Sequence, residues 1–243
     1  MPIPTTSVRM DAQRLAEAKT AAAALARALQ DALSKAAMYA DPNLSPDGLA
    51  AKRRELATQF REAARNDLAT LERGIQSARD SLRQYVAENV TAPTDAGEAI
   101  RLEQKWRQAE RQLDAGIDLH KVLATADEAT TRAILEFGPS WAAATGYRPP
   151  TIEEGIADAL SDADAATPGA WVIQAAHLRL ADVTTDPAVA ELLRAANAAD
   201  QQAAVAAPFV EAARGLVEYG RADMLGAAIA SRVAESSPTP VAA

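Results

Sequence analysis

Apolar residues recur at steps of three and four along the first part of the chain, and this spacing constrains the fold more than any other feature. Over residues 8–39 the stripe is mostly alanine, with Leu15, Leu25 and Leu29 at its larger positions. This period predicts an amphipathic helix, and a heptad stripe predicts packing against another helix. Because alanine is small, we expect the two helix axes to approach toward the lower end of the usual range, about 8–10 Å.

A second helix is predicted over residues 46–89, with Ser45 as its cap and Pro46 at its first position. Phe60 and Leu71 lie on its apolar stripe, and its other faces alternate in charge, which is typical of solvent-exposed surfaces. At about 1.5 Å per residue, this helix is roughly 65 Å long. Its partner is either the first helix of the same chain or a helix of a neighbouring copy.

Asp95 and Glu98 have the spacing of a capping box, so a third helix is predicted from there to about Leu123. The later part of the chain has shorter, punctuated helices. Gly138–Pro139 predicts a stop, Pro168 and Pro187 predict starts, and Pro208 predicts a restart. No strand is predicted, because alternation of β-branched and polar residues is absent. The fold class is therefore predicted to be all-α: a long antiparallel, coiled-coil-like helical hairpin, followed by a compact bundle of short helices.

Charge is distributed unevenly along the sequence. Residues 1–125 hold 18 basic and 17 acidic side chains, whereas residues 126–243 hold 7 and 16, within a net charge of −8. Such asymmetry suggests two parts with different surroundings. We therefore predict an elongated helical region over residues 1–125, an acidic compact domain over 126–235 and a flexible tail over 236–243.

The sequence lacks the residues and spacings that many catalytic and metal-binding sites require. There is no cysteine, which excludes disulfides, thiolate metal sites and thiol nucleophiles. The two histidines, His120 and His177, have no metal-ligand pattern around them: Gly116 and Ala124 flank the first at four residues, and Gln174 precedes the second. We interpret both as partly buried helix residues, and we expect no cofactor, no bound metal and no catalytic residue.

One acidic cluster leaves more than one interpretation open. Glu154, Asp158 and Asp162 are four residues apart, so on a helix they share one face, where like charges destabilise by a few tenths of a kcal/mol per pair. A solvated acidic face is the simplest explanation. A surface for a basic partner and a metal-dependent all-α active site on this face are the alternatives.

Two aromatic residues, Trp141 and Tyr147, lie in a stretch rich in glycine and proline. Aromatic side chains in such a loop suit an exposed protein contact, although packing of the loop onto its own domain is the simpler explanation. Together with the helix stripes and the acidic face they complete the candidate partner-binding residues: Leu15, Leu25, Leu29, Phe60, Leu71, Trp141, Tyr147, Glu154, Asp158 and Asp162.

Partners other than protein are not expected. The densest basic cluster, Lys52–Arg54, is followed at once by Glu55, and an acidic chain is poorly suited to neutralise phosphates. No apolar run reaches the roughly 20 residues of a membrane helix. The first ten residues lack the pattern of a signal peptide. We therefore expect neither nucleic-acid nor membrane binding, and a cytoplasmic location.

The alanine- and arginine-rich helices "LARALQDAL" and "REAARNDLATLERG", together with the preference for arginine over lysine and the capped acidic short helices, resemble helical virion assembly proteins of tailed bacteriophages. Those are scaffolding, minor capsid or head–tail connector components. The resemblance implies a non-enzymatic protein that binds itself or other virion subunits through helix faces, first in the cytoplasm and then in the virion. The alternatives are a host-cell helical adaptor or secretion-associated protein, and the metal-dependent enzyme.

Overall fold

A computed structural model describes residues 3–90, 95–147 and 168–236 of the chain. Within these ranges there is no strand, and the residues form eight helices, which confirms the predicted all-α class. The hairpin and coiled-coil details of that prediction stay predictions. The helices are α1 Thr5–Ala37, α2 Pro46–Asn89, α3 Ala96–Asp114, α4 Leu119–Thr125, α5 Glu128–Thr145, α6 Pro168–Val183, α7 Pro187–Tyr219 and α8 Met224–Ser236.

The described residues form two compact units, and each unit takes residues from more than one part of the sequence. Unit 1 contains residues 3–8, 83–90, 95–147 and 168–197. Unit 2 contains residues 9–82 and 198–236. The predicted division of the chain near residue 125 follows charge rather than packing, and it stays a prediction.

The alanine stripe of α1 is buried inside unit 2. Ala22, Ala26 and Leu29 are at most 3% exposed, and they share one core with Ala64 and Leu68 of α2. In this structure the stripe therefore packs against helices of the same chain. The second half of α7 and α8 complete the same core with Phe209, Val210, Ala212, Ala213, Leu216, Val217 and Ala227.

Larger side chains from α7 supply the buried apolar surface that the alanines of α1 lack. Burial stabilises by about 25 cal/mol per Å² of apolar surface, so the small alanine stripe contributes little area by itself. Phe209 and Leu216 are 7% and 4% exposed. The sequence does not reveal this arrangement, because residues nearly 200 positions apart meet in one core.

Several predicted helix starts are confirmed by their hydrogen bonds. The Ser45 hydroxyl accepts from the backbone N–H of Gly48 at 3.2 Å, and α2 begins and ends where the sequence predicts. The Asp95 carboxylate accepts from the N–H of Glu98 at 2.8 Å. Asp186 accepts from the N–H of Ala188 at 2.8 Å at the start of α7. Such caps satisfy N–H groups that have no partner within the helix.

The predicted third helix is wrong at its end, because it breaks at Gly116 into α3 and α4. Gly116 has a φ of +83°, and the N–H groups of Gly116 and Ile117 donate to the carbonyls of Leu113 and Gln112. This pair of bonds is the Schellman arrangement that ends helices at a left-handed glycine. Asp118 then caps α4 through the N–H of His120 at 2.8 Å.

The predicted stop at Gly138–Pro139 is also wrong, because α5 continues through it to Thr145. An internal proline costs a helix about 3 kcal/mol or more, so packing must offset this cost. α5 packs against α6 in unit 1. A Cβ placed on Gly138 would lie 2.8 Å from Cγ1 of Val172, and one on Gly169 would lie 3.3 Å from Cβ of Pro139. The dipeptide therefore forms a close helix crossing instead of a helix end.

The predicted restart at Pro208 is wrong for a related reason. α7 runs without a break from Pro187 to Tyr219 with Pro208 inside it. The residue four positions earlier, Ala204, is exposed, so the carbonyl that loses its donor lies at a solvent-accessible position. Phe209 and Val210, which follow the proline directly, are buried in the core of unit 2, and their burial favours the continuous helix.

Candidate functional site

The predicted partner-binding residues of α1 and α2 lie in the interior of unit 2. Leu15 and Leu29 are 1% and 3% exposed. Leu25, Phe60 and Leu71 are partly buried against the same core. In this structure the five side chains stabilise the fold, and their role toward a partner stays a prediction.

Trp141 and Tyr147 belong to an aromatic cluster in unit 1. Trp141 lies within α5, so its predicted position in a turn is wrong for the same reason as the stop at Pro139. Its ring centroid is 6.4 Å from that of Trp106 and 5.2 Å from that of Tyr147, which in turn lies 5.8 Å from Trp171. Both residues are partly exposed, so the cluster joins α3, α5 and α6 internally while keeping an accessible edge.

The hydroxyl of Tyr147 is held at the start of α4. It donates to Oδ2 of Asp118 at 3.1 Å, while the other carboxylate oxygen caps the helix. Burial raises the pKa of Tyr147 well above its ordinary value, and the Asp118 carboxylate raises it further. The phenol therefore keeps its proton, and this arrangement acts as a structural tie between the end of α5 and the start of α4.

The two histidines take structural positions as well. His120 lies at the start of α4, because α3 ends before it. His177 lies on α6, and burial lowers its pKa from 6.5 to about 4. No hydrogen-bond partner for its Nε2 is found among the described residues. His177 is therefore neutral near pH 7.

The acidic face at Glu154, Asp158 and Asp162 lies outside the described residues. Several carboxylates elsewhere cap helices or pair with arginine and lysine. Asp127, for example, has its pKa lowered to about 2 by the hydrogen bonds from Thr130 and Lys105. In the described ranges, no group of three or more potential metal-ligating side chains is close enough to hold an ion.

The feature that sequence reasoning missed is an apolar surface on α8. Leu225, Ile229 and Val233 are 73%, 58% and 60% exposed, and their steps of four place them on one side of the helix. We call this set the outer face of α8. The opposite side holds Ala227 and Ser231, which are 5% and 0% exposed. The four-residue spacing is visible in the sequence, but only the structure shows which side of the helix is buried.

This distribution is the reverse of that in an ordinary surface helix, which turns its larger apolar residues toward the core. α8 buries Ala227 and Ser231, packs Met224 against the core, and turns leucine, isoleucine and valine outward. α8 packs on unit 2 through Ala227, which belongs to its core, and Nζ of Lys19 lies 2.5 Å from Oε1 of Glu235. The outer face is therefore presented by a helix that is fixed to the unit.

None of the described helices combines the length and the apolar character needed to cross a bilayer. Comparison with protein-family models, with curated proteins and with solved structures found no match to the chain.

Proposed function

We propose that this chain is a non-enzymatic structural protein that assembles with other protein subunits through helix faces. The observation that carries the proposal is the outer face of α8, where Leu225 and Ile229 are 73% and 58% exposed, while the buried residues of the same helix are Ala227 and Ser231. Contiguous exposed apolar surface of this kind is typical of interaction sites.

A second copy of the chain is the occupant that we propose for this face. The side chains are evenly spaced about Ile229, so an antiparallel pair of α8 helices on a two-fold axis is self-complementary. Ile229 would then lie opposite its own counterpart, and Leu225 opposite the partner's Val233. The same surface thus provides both sides of the contact.

The strength of a single contact is expected to be modest. Full burial of a large aliphatic side chain contributes about 1.5–3 kcal/mol, whereas association itself costs about 4 kcal/mol or more. One helix of 13 residues also offers less surface than the roughly 800 Å² that each partner of a standard interface buries. Such a contact becomes strong when it is repeated in a larger array, since linked contacts increase the effective concentration.

The array that we propose is the virion of a tailed bacteriophage, with this chain as a minor capsid, scaffold or connector component. The support for this finer assignment is the resemblance in helix composition described above. A closed ring or a repeated lattice position would use the outer face many times. The chain would meet these partners in the cytoplasm during assembly and remain in the virion afterwards.

Sedimentation equilibrium tests the proposal with a matched pair of variants. Ile229→Glu places a charge in the centre of the outer face, whereas Ile100→Glu alters a residue of unit 1 that is equally exposed at 58%. We expect the unaltered chain and Ile100→Glu to gain mass as the concentration rises, and Ile229→Glu to remain monomeric. Far-UV circular dichroism checks that both variants keep their helix content.

Two results would contradict this proposal. One is equal association of the two variants, which would place the contact elsewhere. The other is a monomer at every concentration whose melting temperature falls on Ile229→Glu, because that result would mean that the chain covers its own outer face.

A further inference from the structure

A pocket of about 230 Å³ in unit 1 combines apolar walls with two arginines. It lies between α4, α6 and the first part of α7, and its walls include Leu123 and Leu178. The polar side chains at the pocket are His120, Arg179, Asp182 and Arg194. Three of these four are basic residue types, in a chain whose net charge is −8.

Arg179 is oriented by the backbone rather than by a carboxylate. Its Nε and Nη2 donate to the carbonyl of Ala126 at 3.1 Å and 2.8 Å. A guanidinium carries five N–H donors in a rigid planar group, so this carbonyl leaves three of them. Among the described residues, no ion pair joins Arg179 to a carboxylate. Because it is only partly exposed and bonded to the Ala126 carbonyl, it is a cation held in place at the pocket wall.

Arg194 approaches the same pocket from α7. Its Nη2 donates to the carbonyl of Ala181 at 2.8 Å, near the end of α6, and lies 4.0 Å from Oδ1 of Asp182. Both members of that pair are more than 60% exposed, so the interaction is worth no more than about 1 kcal/mol. A ligand with a better geometry can therefore compete for this arginine.

We propose that this pocket binds a carboxylate that carries a short apolar chain. The planar edge of a guanidinium matches the two oxygens of a carboxylate, and Arg194 adds a second guanidinium to the pocket lining from α7. Leu123 and Leu178 provide the surface for the apolar chain. Asp182 at the edge favours a singly charged carboxylate over a doubly charged phosphate, since the extra charge would be repelled.

Two sources can supply this chemistry: a free aliphatic acid, or the C-terminal residue of another protein chain. Both present one carboxylate and one small apolar group. The test uses hexanoate for the first source and a peptide ending in valine–leucine with a free carboxyl group for the second. Hexanamide and the amidated peptide are the neutral controls, since they keep the shape and remove the charge.

The experiment titrates each probe into the full chain and follows the ¹H–¹⁵N signals of the arginine Nε–H groups. We expect saturable binding of at least one acid, a shift of the Arg179 signal, and affinity at least tenfold lower for its amide. If the peptide acid binds more tightly than hexanoate, a chain terminus is the source. If hexanoate binds as tightly or more tightly, a free acid is the source.

Variants identify the residues that bind. Arg179→Lys keeps the charge and loses the planar group, and Arg194→Gln removes the second donor; each should weaken binding at least fivefold. Arg107→Gln is the control for Arg194→Gln, because the two arginines are 66% and 63% exposed and each has a nearby carboxylate. The Arg194 comparison also remains valid if Arg179→Lys disturbs the fold around Ala126.

The proposal is overturned if neither acid binds saturably, if the amides bind as well as the acids, or if Arg194→Gln and Arg107→Gln bind alike. These outcomes do not depend on the self-association of unit 2, which is tested separately.

Discussion

At the scale of single residues, two buried hydroxyl groups differ in whether they have a hydrogen-bond partner, and so in their effect on stability. Thr131 and Ser231 are both 0% exposed. The Thr131 hydroxyl donates to the carbonyl of Asp127 at 2.8 Å, whereas no hydrogen-bond partner of the Ser231 Oγ is found among the described residues. The sequence does not distinguish these two hydroxyls, because both lie within helices and each is followed by an arginine.

We expect opposite effects when each hydroxyl is removed. Ser231→Ala should raise the free energy of unfolding by about 1 kcal/mol, because it removes a desolvated group without a partner, while Thr131→Val should lower it by about 1 kcal/mol through loss of its bond. Urea denaturation measures both values. A lower stability for Ser231→Ala would contradict this account of the α8 core.

His177 predicts a specific dependence of stability on pH. Burial lowers its pKa from 6.5 to about 4 in the folded chain, so between these values the unfolded chain binds a proton that the folded chain does not. The free energy of unfolding should therefore fall as the pH is lowered from about 6.5 to about 4. At about 1.4 kcal/mol per pKa unit, the full loss is about 3 kcal/mol.

Comparison with His177→Gln isolates this contribution, since the carboxylates titrate alike in both proteins. Urea denaturation at several pH values should show that the unaltered chain loses more stability on acidification than the variant does. Parallel pH profiles of the two proteins would show that His177 is not buried as described.

At the scale of helices, the sequence predicts capped starts better than it predicts the effect of an internal proline. A cap such as Asp95 or Ser45 acts through a hydrogen bond within three residues, so the local sequence contains all the needed information. Locally, Gly138–Pro139 predicts a stop and Pro208 predicts a restart, but distant residues provide packing that outweighs the cost of an internal proline. The same limit applies to the candidate site, where the inner and outer sides of α8 both have helical spacing.

The crossing of α5 and α6 predicts different results for two helical glycines. Gly138→Ala would put its Cβ 2.8 Å from Cγ1 of Val172, a stiff, fully buried side chain, and should cost about 1–3 kcal/mol. Gly74→Ala meets only Cδ of Arg14 at 3.5 Å and should stabilise α2 by about 0.5–1 kcal/mol. Thermal melting of both variants provides the measurement. Equal stabilisation by the two alanines would contradict the close crossing.

At the scale of the whole molecule, unit 2 joins residues that are more than 100 positions apart in the sequence. Arg79 Nη2 lies 2.5 Å from Asp200 Oδ1, and Arg214 Nη2 lies 2.7 Å from Glu72 Oε1. Such exposed pairs contribute little individually, but they lie beside the core that α1, α2, α7 and α8 share. The alanine stripe is used within this core, which leaves the outer face of α8 as the surface that we propose for assembly.

Because the chain has no cysteine, one introduced thiol reports directly on this surface. Under mild oxidation, Ile229→Cys should form a disulfide-linked dimer, since antiparallel pairing of α8 places position 229 opposite itself in two copies. Ile100→Cys, which starts from the same 58% exposure, should remain monomeric. Non-reducing electrophoresis gives the result: rapid cross-linking of Ile229→Cys alone is the prediction, and equal or absent cross-linking in the two variants would contradict assembly through α8.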